Sequence, residues 1–431
     1  MRLTRRALII LILWLCCTVP ALSIQRFPPP EFDTDHTIPT ATQPPARALA
    51  WEVLDVAILC AALSLASWLV LKKRSRRWIV VLMLFSLAYF GFWRKGCVCS
   101  IGAIGNITLA IFDSSYAVPW TVLAFFFLPL VFTLFFGRIF CAAVCPLGAV
   151  QDVVLLRPLN ISPWLETTLR LLAWLYLSAA VLLAATGSAF IICRYDPFVA
   201  FFRLSANPAI WIISISMLII AVFVGRPYCR FLCPYGLILR QLGRISKFRV
   251  TITPDECIHC RLCEGACPFG AIEKPTVEWP RAEYPRGRKR LITLMILLPV
   301  FIAAGVWIGY KLHPRLAMNH PTVWLADRVK LEQAGVYKEP VDQTQAFYTS
   351  GQTLEALYEA AAEKQKQFAL GSAAAGGFMG LIVGGTLLAH SIFWKRSEYE
   401  AQRTGCVACG RCYNYCPRHR KWLIGKKEEI N

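Results

Sequence analysis

The chain has 431 residues, of which 56% are hydrophobic and 17% charged, and its mean hydropathy is +0.50. These values exclude an ordinary soluble domain and place the chain in a bilayer. The net charge of +20 does not point to nucleic acid, because the basic residues stand in short blocks beside apolar spans, as in the positive-inside pattern.

Stretches without Asp, Glu, Lys or Arg run over 7–25, 56–71, 78–93, 114–137, 171–193, 204–225, 291–310 and 367–394. Five of them reach the ~20 residues that cross a hydrocarbon core, and the others come close. Residues 1–23 join a basic start (Arg2, Arg5, Arg6) to an apolar stretch and read as a signal peptide or an uncleaved anchor. Residues 24–50 form an outward segment rich in Pro and Thr.

The block Lys72-Lys73-Arg74-Ser75-Arg76-Arg77 is expected in the cytoplasm and sets the topology. The span near 53–71 then enters, 78–93 leaves, 119–137 enters, 169–192 leaves, 208–225 enters, 291–310 leaves and 370–394 returns. The predicted fold is mainly α: a polytopic helical membrane protein of about seven spans plus the N-terminal signal or anchor, with a small α+β cytoplasmic module that carries two Cys-x2-Cys-x2-Cys-x3-Cys-Pro runs, a spacing that makes it two-cluster and ferredoxin-like. The expected division is a helical membrane domain over 51–250, the first half of the module over 251–290, a span over 291–310, an outward loop with a helix over 311–369, a span over 370–394, and the second half of the module over 395–431. Gly376, Gly380 and Gly384, repeated every fourth residue, predict close helix packing in the last span.

The eighteen cysteines carry the chemistry. Cys257-x2-Cys260-x2-Cys263-x3-Cys267-Pro268 and Cys406-x2-Cys409-x2-Cys412-x3-Cys416-Pro417 each have the spacing that gives three thiolates to one cubane cluster and the fourth to its neighbour. One [4Fe-4S] cluster is therefore expected on Cys257, Cys260, Cys263 and Cys416, and a second on Cys267, Cys406, Cys409 and Cys412. The two runs must then meet in space, on one side of the membrane.

A second repeat pairs Gly137-Arg138-x2-Cys141-x3-Cys145-Pro146-Leu147-Gly148 with Gly225-Arg226-x2-Cys229-x3-Cys233-Pro234-Tyr235-Gly236. A C-x3-C spacing sets both thiols of a pair on one side of a helical turn. The four offer a third iron–sulfur centre or a metal-free redox site, against the plainer reading of buried apolar cysteines. A weaker echo, Cys97-Val98-Cys99-Ser100-Ile101-Gly102, and Cys193 are expected to face outward, as an electron relay, a metal site or a disulfide. No C-x-x-C-H haem site, P-loop, dinucleotide fingerprint or hydrolytic triad occurs, and no catalytic residue is assigned.

With these motifs assembled, the chain over about residues 50–425 resembles the NosR/NapH-type membrane-bound polyferredoxins. The resemblance implies a helical membrane domain with a cytoplasmic two-cluster unit, in a bacterial-type inner membrane. It also implies electron transfer from the quinol pool towards a periplasmic reductase or its maturation. The residues leave the direction open, from quinol to the clusters or from a cytoplasmic donor towards the outer side, with a redox partner subunit as the alternative partner. The resemblance covers the eight ferredoxin cysteines together with Cys141, Cys145, Cys229 and Cys233. NosR-type members also carry an outward flavin domain, which 24–50 is too short to be, so any flavin would come from a flavoprotein partner. Two other classes compete: a metal-reducing maturation factor for a metalloenzyme, and a structural or regulatory subunit whose clusters only stabilise it.

Overall fold

The computed structural model describes residues 48–96, 99–159, 161–253, 257–276, 284–337, 339–392, 395–419 and 422. The expected signal or anchor, most of the Pro/Thr-rich segment, and Cys97 lie outside the described residues. Five helices are long and apolar enough to cross a membrane: Leu49–Lys73, Arg76–Trp93, Pro163–Ala185, Pro285–Ala317 and Leu354–Ala389. Two more stretches expected as spans form shorter apolar helices, Trp120–Phe136 and Pro208–Phe223, of 17 and 16 residues. The first is stopped at Gly137, with φ 75, and the second at Val224, where the backbone becomes extended. Arg226, with φ 50, then turns the chain ahead of the second C-x3-C-P segment, as Gly137 does ahead of the first.

The last two spans form a tight pair. A Cβ added to Gly376 would overlap the Gly305 carbonyl, one on Gly380 the Phe301 carbonyl, and one on Gly309 the Ser372 carbonyl. Small residues on both helices thus bring backbone against backbone, as the four-residue glycine repeat predicts. Gly384 differs, meeting the Leu298 side chain instead.

Both helices run past their apolar segments, which makes the loop between them an ordered lobe. Thr353 caps Leu354–Ala389 by accepting from Ala356 N–H, and Pro321–Gln333 and Asp342–Thr349 lie alongside. Val323, Val329, Phe347, Leu357 and Phe368 form its core with Leu182 and Leu183.

The main core joins Leu59, Leu63, Val70 and Ile79 of the first two spans to both C-x3-C-P segments and to Val407, Cys409 and Tyr413 of the second ferredoxin run. Two short strands, Ile272–Glu273 and Glu400–Ala401, close the ferredoxin module. They pair antiparallel in the register Ile272↔Ala401 and Glu273↔Glu400. Gln402 N–H donates to Ala271 O at 2.8 Å and extends the pairing by a residue.

Candidate thiolate centres

The two ferredoxin runs repeat in conformation as well as in sequence. His259 and Arg261 have φ 53 and 62, and the residues at the same places in the second run, Ala408 and Gly410, have φ 58 and 70. Left-handed backbone at alternate positions curls the chain, so that three successive cysteines face inward. For non-glycine residues it costs about 1–2 kcal/mol each. After the curl each run forms a five-residue helix, Leu262–Ala266 and Arg411–Tyr415, and its last cysteine leaves in extended backbone.

The runs meet. Cys257, Cys260, Cys263 and Cys416 line one pocket with Ile252, Ile258, Arg261 and Tyr399. On the other side, Cys412 interacts electrostatically with Cys406, Cys409 and Cys267, and Cys406 with Cys409 and Cys267. Burial is the main cause that pushes the Cys263 thiol up to about 11 and the Cys406 thiol up to about 12. Backbone donors favour the sulfurs: Ala408 N–H lies 3.4 Å from Cys406 Sγ, and Ala271 N–H lies 3.4 Å from Cys267 Sγ. Among the described residues no three His, Cys, Asp or Glu side chains converge to hold a single metal ion. Four thiols round a pocket in one quartet, and N–H donors to Cys267 and Cys406 in the other, suit multinuclear clusters.

The basic block 72–77 has a further role that charge counting did not show. Arg74 donates to Thr251 O at 2.6 Å and to Ile252 O at 2.8 Å, and its guanidinium lies over the Tyr413 ring, so it holds both halves of the module. Arg76 donates to Cys409 O at 2.8 Å and pairs with Asp152 at 2.5 Å.

Asp152 is fully buried and also meets Arg411 at 3.2 Å and Arg226 at 3.7 Å. Burial alone would raise its carboxyl, but the Arg226, Arg76 and Arg411 guanidiniums together outweigh that and hold it down to about 2. Motif spacing gave no sign of Asp152. The available signal was a lone acid in the otherwise apolar stretch that follows Cys145-Pro146.

The C-x3-C-P repeat is also assembled. Cys145 interacts electrostatically with Cys229 and Cys141, and Cys233 with Cys229, Cys145 and Cys141. Phe140–Val144 forms a π-helical turn, and Cys145 and Cys233 each stand before a helix that starts at proline. The repeated glycine has a steric reason: a Cβ on Gly148 would crowd Cys141 O at 2.9 Å, and one on Gly236 would crowd Cys229 O at 3.2 Å.

The repeated arginine reaches across the repeat. Arg226, 1% exposed, donates to Cys141 O and to Ala142 O, whereas Arg138 donates to Thr404 O beside Cys406. Gln151 Nε2 donates to Cys229 Sγ at 3.3 Å, and its Oε1 accepts from Tyr228 N–H. Arg138, Arg170, Arg226, Arg230 and Arg240 line a cleft with Cys229 and Cys233, facing Phe269 and Val407 of the ferredoxin runs. Glu166, paired with Arg170 and Arg230, and Asp152 answer only part of this positive charge. Thiolate-bound iron–sulfur clusters, which are anionic, fit the remainder.

Cys99 lines a cavity with Cys145, Phe140 and Asp196, so the chain after Arg76–Trp93 brings it beside the C-x3-C-P thiols. Cys193 is exposed. His390, inside an expected span, caps the C-terminus of Leu354–Ala389 at the end of that helix.

Comparison with known proteins points the same way. Two models described as 4Fe-4S binding domain match the chain, one over residues 118–162 and 206–253 and the other over 250–273. The first covers both C-x3-C-P segments and the second covers Cys257 to Cys267. An uncharacterised protein of Methanocaldococcus jannaschii is 29% identical over 190 residues, 42% of this chain and 77% of that protein. The regulatory protein NosR of Pseudomonas aeruginosa is 25% identical over 293 residues, 60% of this chain and 39% of NosR. The methylamine utilization ferredoxin-type protein MauN of Methylobacillus flagellatus is 28% identical over 161 residues, 33% of this chain and 53% of MauN. No solved structure matches.

Proposed function

We propose that this chain, which is similar to NosR and MauN and matches 4Fe-4S binding models, is a NosR/NapH-like membrane ferredoxin-type protein that carries electrons through iron–sulfur centres across the membrane, between a cytoplasmic ferredoxin module and a periplasmic acceptor. The proposed ligands are Cys257, Cys260, Cys263 and Cys416 for one [4Fe-4S] cluster, and Cys267, Cys406, Cys409 and Cys412 for the second. Cys141, Cys145, Cys229 and Cys233 are the proposed ligands of a third. When bound, the clusters supply one-electron storage at potentials set by charge, hydrogen bonds to sulfur and burial.

The observation that carries this reading is the continuity of the thiol series. It runs from the ferredoxin module, past the arginine cleft, through the C-x3-C-P quartet to Cys99. Arg76 touches the module at one end of the 18-residue helix Arg76–Trp93, and Cys99 follows the other end. That helix is about 27 Å long at 1.5 Å per residue. The chain's own groups shape the path: Gln151 and backbone N–H groups donate to sulfur, and Arg138 and Arg226 tie the C-x3-C-P repeat to the ferredoxin loop and to itself. The donor is proposed to be quinol or a cytoplasmic reductant, and the acceptor a periplasmic reductase.

Iron analysis with EPR-monitored redox titration of the purified protein tests the reading. About twelve irons per chain are expected for three [4Fe-4S] centres, falling to about eight in C229A. Clusters that no physiological reductant reduces would overturn electron transfer, and an unchanged count in C229A would overturn the third centre. Reduction by a quinol analogue would identify the donor.

A further inference from the structure

Cys99 and Cys193 fall outside the three quartets, and their surroundings set them apart from inert thiols. The backbone N–H groups of Gly102 and Ile101 act on Cys99 Sγ and favour its ionised form. The N–H of a glycine three residues on acts in the same way on Cys145, from Gly148, and on Cys233, where Gly236 N–H donates to Sγ at 3.2 Å. Cys99-x2-Gly102 thus repeats the cysteine–glycine spacing of the C-x3-C-P sites.

Gly102 also makes room for the second sulfur. Cys193 Sγ lies 3.0 Å from where a Cβ on Gly102 would sit, and Cys99 O lies 3.8 Å from that same point. The two cysteines differ in access. Cys99 is half-buried beside the cavity that holds Cys145, whereas Cys193 is exposed and precedes the exposed Arg194. One thiol faces the interior series and the other faces out.

We propose that Cys99 and Cys193 are a redox-active dithiol that ends the electron path on the side away from the ferredoxin module. This rests on the electron-transfer reading above. In the oxidised form a Cys99–Cys193 disulfide is present. Two electrons, which a cluster held by the C-x3-C-P thiols would supply one at a time, break the S–S bond, and two protons from the solvent complete two thiols. The exposed Cys193 thiolate then attacks a disulfide of an outward partner protein, forming a mixed disulfide. Cys99 attacks the Cys193 sulfur and releases the partner as a dithiol, which restores the internal bond. Electrons and protons balance: the partner's disulfide gains two of each.

The test uses the full-length chain in detergent, in a C97S background, with clusters intact by EPR. After mild oxidation with diamide, digestion and mass spectrometry should find the Cys99 and Cys193 peptides linked. After photoreduction of the clusters with a deazaflavin, both should take up iodoacetamide. C193S should abolish the link with the iron count unchanged. Absence of the linked peptide would overturn the proposal. So would a loss of about four irons in C99S, which would make Cys99 a cluster ligand. Clusters that reduce while the link persists would overturn the dithiol alone, whereas clusters that do not reduce would overturn the electron-transfer reading beneath it.

Discussion

The chain contains two duplications of cysteine motifs, and they solve the same problem differently. In the ferredoxin module each run curls through left-handed backbone at its third and fifth residues, and the two halves touch through a two-residue sheet and a shared set of thiols. In the membrane repeat the two halves lock through backbone: Arg226 of one binds Cys141 O and Ala142 O of the other, and Gly148 and Gly236 lie against the first cysteine carbonyl of each pair. The difference teaches where the cofactor is structural. Chelating the iron should loosen the cysteine runs of the module, whose halves would then be held at their strand edge and by Arg396 against Thr276 and Glu273, and leave the membrane repeat closed.

The sharpest way to break the comparison is at Asp152, where the two regions share one carboxylate. Asp152→Asn would leave Arg76, Arg226 and Arg411 facing one another in a buried site, and should cost about 3–5 kcal/mol. The check is faster limited proteolysis of the 395–419 segment, together with a lower melting temperature. If the segment stays protected, the module does not depend on the membrane domain for its docking.

The same carboxylate sets a pH dependence. Its folded pKa of about 2 lies below the usual carboxylate value near 3.9, so its contribution of about 2 kcal/mol is fully present above about pH 4 and lost as pH falls towards 2. Acid titration of module docking, followed by tryptophan fluorescence, should show this step in the native chain and not in D152N.

At the glycine crossing of the last two spans, Gly376→Ala should cost about 1–3 kcal/mol, because the new methyl meets the backbone of Gly305 and no flexible side chain can yield. Cross-linking between the helices of cysteines placed at Ile302 and Gly377 would read the separation. A Gly385→Ala control, with open space at its Cβ, should be silent.

The smallest effect sharpens the account of the curled runs. Ala408→Gly relieves about 1 kcal/mol of left-handed strain, partly offset by the freedom glycine gains when unfolded. Gly410→Ala adds that strain and presses on Ile79. Opposite shifts in module melting would confirm that backbone conformation, in addition to sulfur ligation, shapes the runs.

Much of this could be read from the chain itself. The spacing of the eight ferredoxin cysteines required Cys416 to join Cys257, Cys260 and Cys263, and these four line one pocket. The apolar stretches within the described residues became helices, and the glycine repeat became a close crossing, because both follow from local composition. Asp152, Arg74 and Gln151 were not legible. Each acts on a partner far away in sequence, as Arg74 does on Thr251, and no short pattern records such a pairing. The closeness of Cys99 to Cys145 was not legible for a related reason, since charge bias reports the ends of spans and says nothing of which thiols pack together.

Sequence alone determined the helical membrane class, the ferredoxin motifs and the pairing those motifs demand, because hydropathy and ligand spacing are local properties. Tertiary structure decided which cations hold the module to the membrane domain, how near Cys99 lies to Cys145, and how closely the repeated segments approach. Those outcomes depend on backbone turns and buried charge pairs that form only when distant parts of the chain are brought together.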